Sequence, residues 1–119
     1  MKIYISGPIA GQPDFKQKFK EAEDKLRTLG WDVCNPCEVP AWPHQGECPK
    51  SYTGVVNGHT AACYLRGDLW ELLQCDVLFM LPGWESSIGA RLEHSVASHC
   101  GMTIYYSVHC EVPFDIVKD

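Results

Sequence analysis

No stretch of the chain approaches twenty consecutive apolar residues, so a membrane-spanning helix is not expected. Nor is there an excess of positive charge. Ten Lys plus Arg stand against 15 Asp plus Glu, a net charge of −5, which opposes long-range attraction to nucleic acid or anionic membrane. Any phosphate bound must therefore be held by local contacts. No apolar leader follows Met1-Lys2-Ile3, and no repeat, low-complexity tract or interdomain linker breaks up the 119 residues. A single cytoplasmic domain spanning residues 1–119 is the expectation. What is abundant is apolar side chain, 45% of the residues, and cysteine, at Cys34, Cys37, Cys48, Cys63, Cys75, Cys100 and Cys110. An odd count, with several of these inside periodic segments, speaks against a disulfide framework and for small buried hydrophobes in a reducing compartment.

Lys2-Ile3-Tyr4-Ile5-Ser6 alternates apolar and polar and runs into Gly7-Pro8-Ile9-Ala10-Gly11, which predicts a strand ending in a glycine-rich turn. Phe15, Phe19, Ala22, Leu26 and Leu29 then recur at helical spacing, with Pro13 near the first turn and Gly30 as the stop. Trp31 to Cys34 reads as a second strand ended by Asn35-Pro36. Residues 37–59 form an irregular, proline- and glycine-rich loop, a candidate lid. Thr60 is placed to cap a helix with Leu65, Leu69, Leu72 and Leu73 on its apolar side, followed by a buried strand from Asp76 to Leu81. Ser86 or Ser87 caps a third helix with the stripe Ile88, Leu92 and Val96, which Gly101 stops before a strand over Met102 to Tyr106. The tail from Val112 to Val117 can add an edge strand. Such alternation implies a flavodoxin-like (Rossmannoid) α/β domain, with a parallel sheet of four to five strands in the order 2-1-3-4-5 and helices on both faces. The turns Ser6 to Gly11 and Pro82 to Ser87 then open one crevice where the winding reverses.

By residue type alone, Glu93 and Asp68 are exposed helix carboxylates and Tyr4 is a core tyrosine. Their expected placement changes that weighting. Glu93 follows Gly89 by four residues and Ala90 by three, so the helix face one turn earlier has almost no bulk and lets a ligand approach. The same helix offers its N-terminal amides, beside Ser86 and Ser87, to a phosphate. A tyrosine hydroxyl from the first strand can orient a carboxylate nucleophile and adjust its charge through a covalent mechanism.

Three segments together carry a specific resemblance: Ile3 to Pro8, Asp68 to Val77, and Ser87 to Glu93. In order and spacing they resemble the nucleoside 2-deoxyribosyltransferase superfamily. The stretch Leu81 to Glu93, Leu-Pro-Gly-Trp-x-x-Ser-x-Gly-x-Arg-x-Glu, is most similar to the 2'-deoxynucleoside 5'-monophosphate N-glycosidases and their small, often phage-borne relatives. The resemblance implies a cofactor-free homodimer in which Glu93 attacks the anomeric carbon, releasing the base and leaving a glycosyl-enzyme ester. Asp68 matches the aspartate that contacts the sugar or protonates the departing base, and Tyr4 the tyrosine that holds the nucleophile. Gly7, Pro8, Gly89 and Trp84 fall at crevice positions. Ser87 is the diagnostic position, because the transferases carry an aspartate there for a free 5'-hydroxyl whereas the monophosphate hydrolases carry serine. A neutral hydroxyl beside a helix N-terminus can donate to phosphate, and Arg91 or Arg66 can assist. Two positions depart from the pattern: Pro8 replaces a phosphate-contacting serine, and His94 a glycine that often follows the nucleophile.

The expected substrate is a small nucleotide or nucleoside, with Trp42, His44 and Trp84 as candidates for stacking on its base. Base transfer and non-catalytic nucleotide capture remain as alternatives. Cys34, Cys37, His44 and Cys48 have the ligand types of a zinc site but not a standard spacing, and no metal is expected of them.

Overall fold

The computed structural model describes residues 1–43, 46–48, 55–56, 59–107 and 116–118, with side chains throughout except at 55–56 and 116–118. Strands β1 (Lys2–Ser6), β2 (Asp32–Cys34), β5 (Val77–Met80) and β6 (Thr103–Ser107) form a parallel sheet. The strand β7 (Ile116–Lys118) closes its edge antiparallel to β6, so the sheet order is β2-β1-β5-β6-β7. This is the flavodoxin-like order, with its reversal between β1 and β5. A separate antiparallel ribbon pairs β3 (Val55–Val56) with β4 (His59–Thr60). Of the irregular loop, residues 44–45, 49–54 and 57–58 lie outside the described set, as do 112–115 of the tail. Among the described residues no helix is long and apolar enough to cross a membrane.

Strand alternation sorts the core into two layers. Ile3 and Ile5 of β1, with Val77 and Phe79 of β5, meet Phe19, Ala22 and Leu26 of helix α1 (Phe15–Thr28). On the opposite face Tyr4, Leu78, Met80 and Ile104 meet Leu72 of helix α2 (Ala61–Leu73) and Ala90 and Ala97 of helix α3 (Ile88–His99). The helix after β1 starts where Pro13 predicts and ends at Gly30, whose φ of 96° suits only a residue without Cβ. At the crevice, Leu81 N–H donates to the Ser6 carbonyl at 2.8 Å. A Cβ on Gly7 would lie 2.8 Å from Leu81 Cβ, so this glycine lets the two strand ends approach.

The helices turn differently from the predicted stripes. In α3, Ile88 is 70% and Leu92 40% exposed, while Ala90, Glu93 and Ala97 face the sheet. In α2, Leu73 is 55% exposed, Leu65 and Leu69 are half-buried, and Cys63, Gly67 and Leu72 point inward. Leu29, beyond the end of α1, is also exposed. Small residues win the interior because they bring the helix axes close enough to cover a sheet face only four parallel strands wide. The large leucines then fall on the outer side.

Gly67 is the tightest of these contacts with backbone: a Cβ there would lie 2.8 Å from the Pro40 carbonyl oxygen, whereas one on Gly89 meets nothing within 4 Å. Gly67→Ala is therefore expected to cost about 1–3 kcal/mol of overpacking, only partly offset by helix propensity, in urea denaturation. In the same measurement Gly89→Ala leaves stability unchanged or raises it by up to about 1 kcal/mol.

Candidate active site

Tyr4 and Ser6 are two residues apart on β1, so both side chains leave the same face of the sheet, and both are fully buried. Helix α3 lies across that face on Ala90 and Ala97. Glu93, spaced between them on the same stripe, is carried inward to 7% exposure. The Tyr4 hydroxyl donates to Glu93 Oε2, and the Ser6 hydroxyl donates to Oε1 at 2.7 Å. Burial raises the Glu93 carboxyl to about 7 even though both hydrogen bonds favour its ionised form. The Glu93 carboxyl is thus held at both oxygens by one strand.

Helix α2 brings Asp68 into the same electrostatic environment. Burial, and then the charge of Glu93, push Asp68 up to about 8. Its Oδ1 is buried and accepts no hydrogen bond among the described residues. Burial, then Glu93 and Asp68, hold the Tyr4 hydroxyl well above its ordinary range, so it stays a donor. Neighbouring carboxyls resist ionising together, and the charge of Glu93 adds to the burial that raises Asp68. With Glu93 raised to about 7 and Asp68 to about 8, both carboxyls keep their protons well above the usual carboxylate range.

Ser87 is the N-cap of α3, and its Oγ accepts the Ala90 N–H at 3.2 Å. Because that bond uses a lone pair, the hydroxyl proton stays available to a ligand, next to the leading amides of Ile88 and Gly89. Gly89 opens onto empty space. Ser86, by contrast, belongs to a 3₁₀ turn over Trp84–Ser86 and donates to the Gly83 carbonyl.

Other predicted residues have different surroundings. Trp84 stacks on His94, with ring centroids 4.4 Å apart, and His94 Nε2 lies 2.6 Å from the Tyr106 hydroxyl. His94 thus covers one face of the Trp84 ring. Pro8 borders a small concavity with Lys18, Phe19, Leu81 and Pro82, on the α1 side of the sheet. Arg91 is exposed on α3. Arg66 places its guanidinium 5.1 Å from the centre of the Trp42 ring, which itself meets Trp70 edge-on, so this pair forms a separate surface on α2. His44 lies outside the described residues.

The cysteines weighed as zinc ligands are dispersed. Cys34 is buried, and its thiol is raised by a hydrogen bond to Cys75 and by burial. Cys37 sits in a 3₁₀ turn, where burial and then Asp68 raise it to about 11. Cys48 lies instead beside His59 and Cys63. The functional residue that sequence reasoning left without a role is Ser6. Its signal was present in the two-residue period shared with Tyr4.

Residues 1–106 match the family model described as Domain of unknown function (DUF4406). No curated protein and no solved structure matches the chain.

The raised Asp68 carboxyl has a consequence for stability. A carboxyl whose folded pKa exceeds its unfolded value of about 3.9 favours folding below that value and loses the advantage as pH rises through its folded pKa, here about 8. Asp68→Asn should therefore gain on the wild type by more than about 1 kcal/mol between pH 4 and pH 9, read from urea midpoints across that range. A difference that does not change with pH would remove Asp68 from the set of buried titrating groups.

Proposed function

This chain belongs to the family Domain of unknown function (DUF4406), and for it we propose an N-glycosidase that hydrolyses the base–sugar bond of a (deoxy)nucleoside 5'-monophosphate. The observation that carries the reading is the buried pair Glu93 and Asp68. One carboxyl is held at both oxygens by Tyr4 and Ser6, and the other has a buried oxygen that accepts no hydrogen bond among the described residues. A structural ion pair would place a cation beside them, and neither carboxyl has one among the described ion pairs. Two carboxyls with different proton occupancy are what glycosyl transfer through a covalent intermediate needs.

In the proposed reaction a Glu93 oxygen bonds to the anomeric carbon while the bond to the base nitrogen breaks. The bonding electrons leave with the base, and the Asp68 proton neutralises it. Water then attacks the same carbon, gives its proton to Asp68, and displaces Glu93 to yield the free sugar phosphate. Tyr4 and Ser6 hold the carboxylate before attack and stabilise it as it leaves.

The 5'-phosphate is assigned to Ser87 and the leading amides of α3. Ser87 and Glu93 are six residues apart, about 9 Å along the helix axis, which suits a sugar phosphate spanning the two. Gly89 leaves the intervening face clear. Trp84, with His94 behind it, is the aromatic surface assigned to the base. A homodimer fits the exposed Trp70 and Leu73 of α2 and Ile88 and Leu92 of α3, all large apolar side chains facing solvent in the single chain.

The decisive experiment is chromatography of free base after incubation with matched panels of nucleosides and their 5'-monophosphates, ribo and deoxy. Base should be released from at least one monophosphate, faster than from its nucleoside, and Glu93→Gln should lower the rate by at least about 10³-fold. Release that needs an added acceptor base would identify a transferase, and retention of nucleotide without release would identify a binding module. For the released substrate, kcat/KM should rise through about pH 7 as Glu93 ionises and fall through about pH 8 as Asp68 loses its proton. A profile flat from pH 6 to 9 would exclude this division of roles.

A further inference from the structure

Away from the carboxylate pair, three potential ligands from separate segments converge. Cys48, His59 of β4 and Cys63 in the first turn of α2 place their ligand atoms within 4.8 Å of one another. Cys48 Sγ and His59 Nδ1 are 3.5 Å apart. In a tetrahedral zinc site with Zn–S near 2.3 Å and Zn–N near 2.0 Å, ligand atoms stand about 3.5–3.8 Å from one another. One edge of that tetrahedron is already formed, and the remaining edges need a contraction of at most about 1.3 Å. The donors are also the right kind, since two thiolates and an imidazole favour zinc over calcium, magnesium or manganese.

The surroundings fit a held ligand set. The His59 ring lies edge-on to Tyr64, with centroids 5.9 Å apart at 90°, which fixes its orientation. Thr60 Oγ1 is 3.8 Å from Cys63 Sγ, placed to donate to a thiolate. Cys63 is 1% exposed, whereas Cys48 and His59 are half-buried, so an ion can reach the group from one side. The β3–β4 ribbon has only two residues per strand and does not join the main sheet. A ribbon that short is not stable alone and needs a tether.

We propose that Cys48, His59 and Cys63 bind a structural zinc ion that ties residues 46–48 and the β3–β4 ribbon to the first turn of α2. Three protein ligands leave one corner of the tetrahedron for a fourth donor. The site differs from the grouping of Cys48 with Cys34, Cys37 and His44: Cys34 and Cys37 lie elsewhere, in β2 and the following 3₁₀ turn, and His44 is outside the described residues. Through Cys63, whose carbonyl accepts the Trp42 N–H at 2.8 Å, it anchors the turn of α2 that precedes Asp68. The inference stands on this cluster alone and does not depend on the hydrolase reading.

The test is elemental analysis of the full chain, stripped with chelator under reducing conditions and refilled with zinc alone, beside Cys48→Ser, His59→Ala and the exposed-cysteine control Cys100→Ser. About one equivalent of zinc is expected in the wild type and in Cys100→Ser, and at least about a tenfold weaker affinity in the other two. Cobalt in place of zinc should give sulfur-to-metal charge-transfer absorption that Cys48→Ser weakens. Cys63 is fully buried and its replacement can prevent folding, so the half-exposed Cys48 carries the test, with circular dichroism checking the fold. No zinc in the refilled wild type, or full zinc retention in both Cys48→Ser and His59→Ala, overturns the site.

Discussion

Burying Glu93 is the constraint from which the site follows. A carboxylate taken out of water needs compensation, and among the described residues no cation supplies it; two hydroxyls from β1 do. That arrangement demands a strand whose alternate residues are both polar at their tips and both covered by a helix. It also demands a helix that approaches closely, which explains why α3 meets the sheet through alanines and leaves Ile88 and Leu92 outside. Asp68 enters the same surroundings, and burial first, then the charge of Glu93, raises its carboxyl. The raised carboxyls and the stability cost they carry have the same origin.

Much of this was legible in the chain. Strand and helix order, the end of the first helix at Gly30 and the cap at Ser87 all follow from local chemistry, and the structure repeats them. The rotation of the helices was not legible. A periodicity argument gives inward positions to the largest apolar residues, but on α2 and α3 closeness of approach outweighed the area of any one side chain. Cys63, Gly67 and Ala90 went inward while Leu73 and Ile88 went out. The partnership of Ser6 with Glu93 spans 87 residues of sequence and depends on how β1 lies under α3, which no local pattern contains.

Cysteine illustrates the same limit. A C-x-x-C spacing at Cys34 and Cys37 draws attention in the sequence, yet the end of β2 and the following 3₁₀ turn send the two thiols into different neighbourhoods. Cys48 and Cys63, 15 positions apart in the sequence, come together because the chain between them returns through the β4 strand. Spacing identifies ligands only where the intervening segment has a known shape, and an irregular loop has none.

The pairing of β1 with β5, residue for residue from Ile3↔Val77 to Ser6↔Met80, has one more implication. A slip of one position would still leave a hydrogen-bonded sheet, but Ile3 and Ile5 would replace Tyr4 and Ser6 beneath α3. Such a misaligned chain would have nearly native secondary structure and an uncompensated carboxylate at its centre. The polar tips on β1 therefore act as a register key: they make the wrong alignment costly at a place where the interior is not oily, and the fold gains uniqueness from the same atoms that hold Glu93.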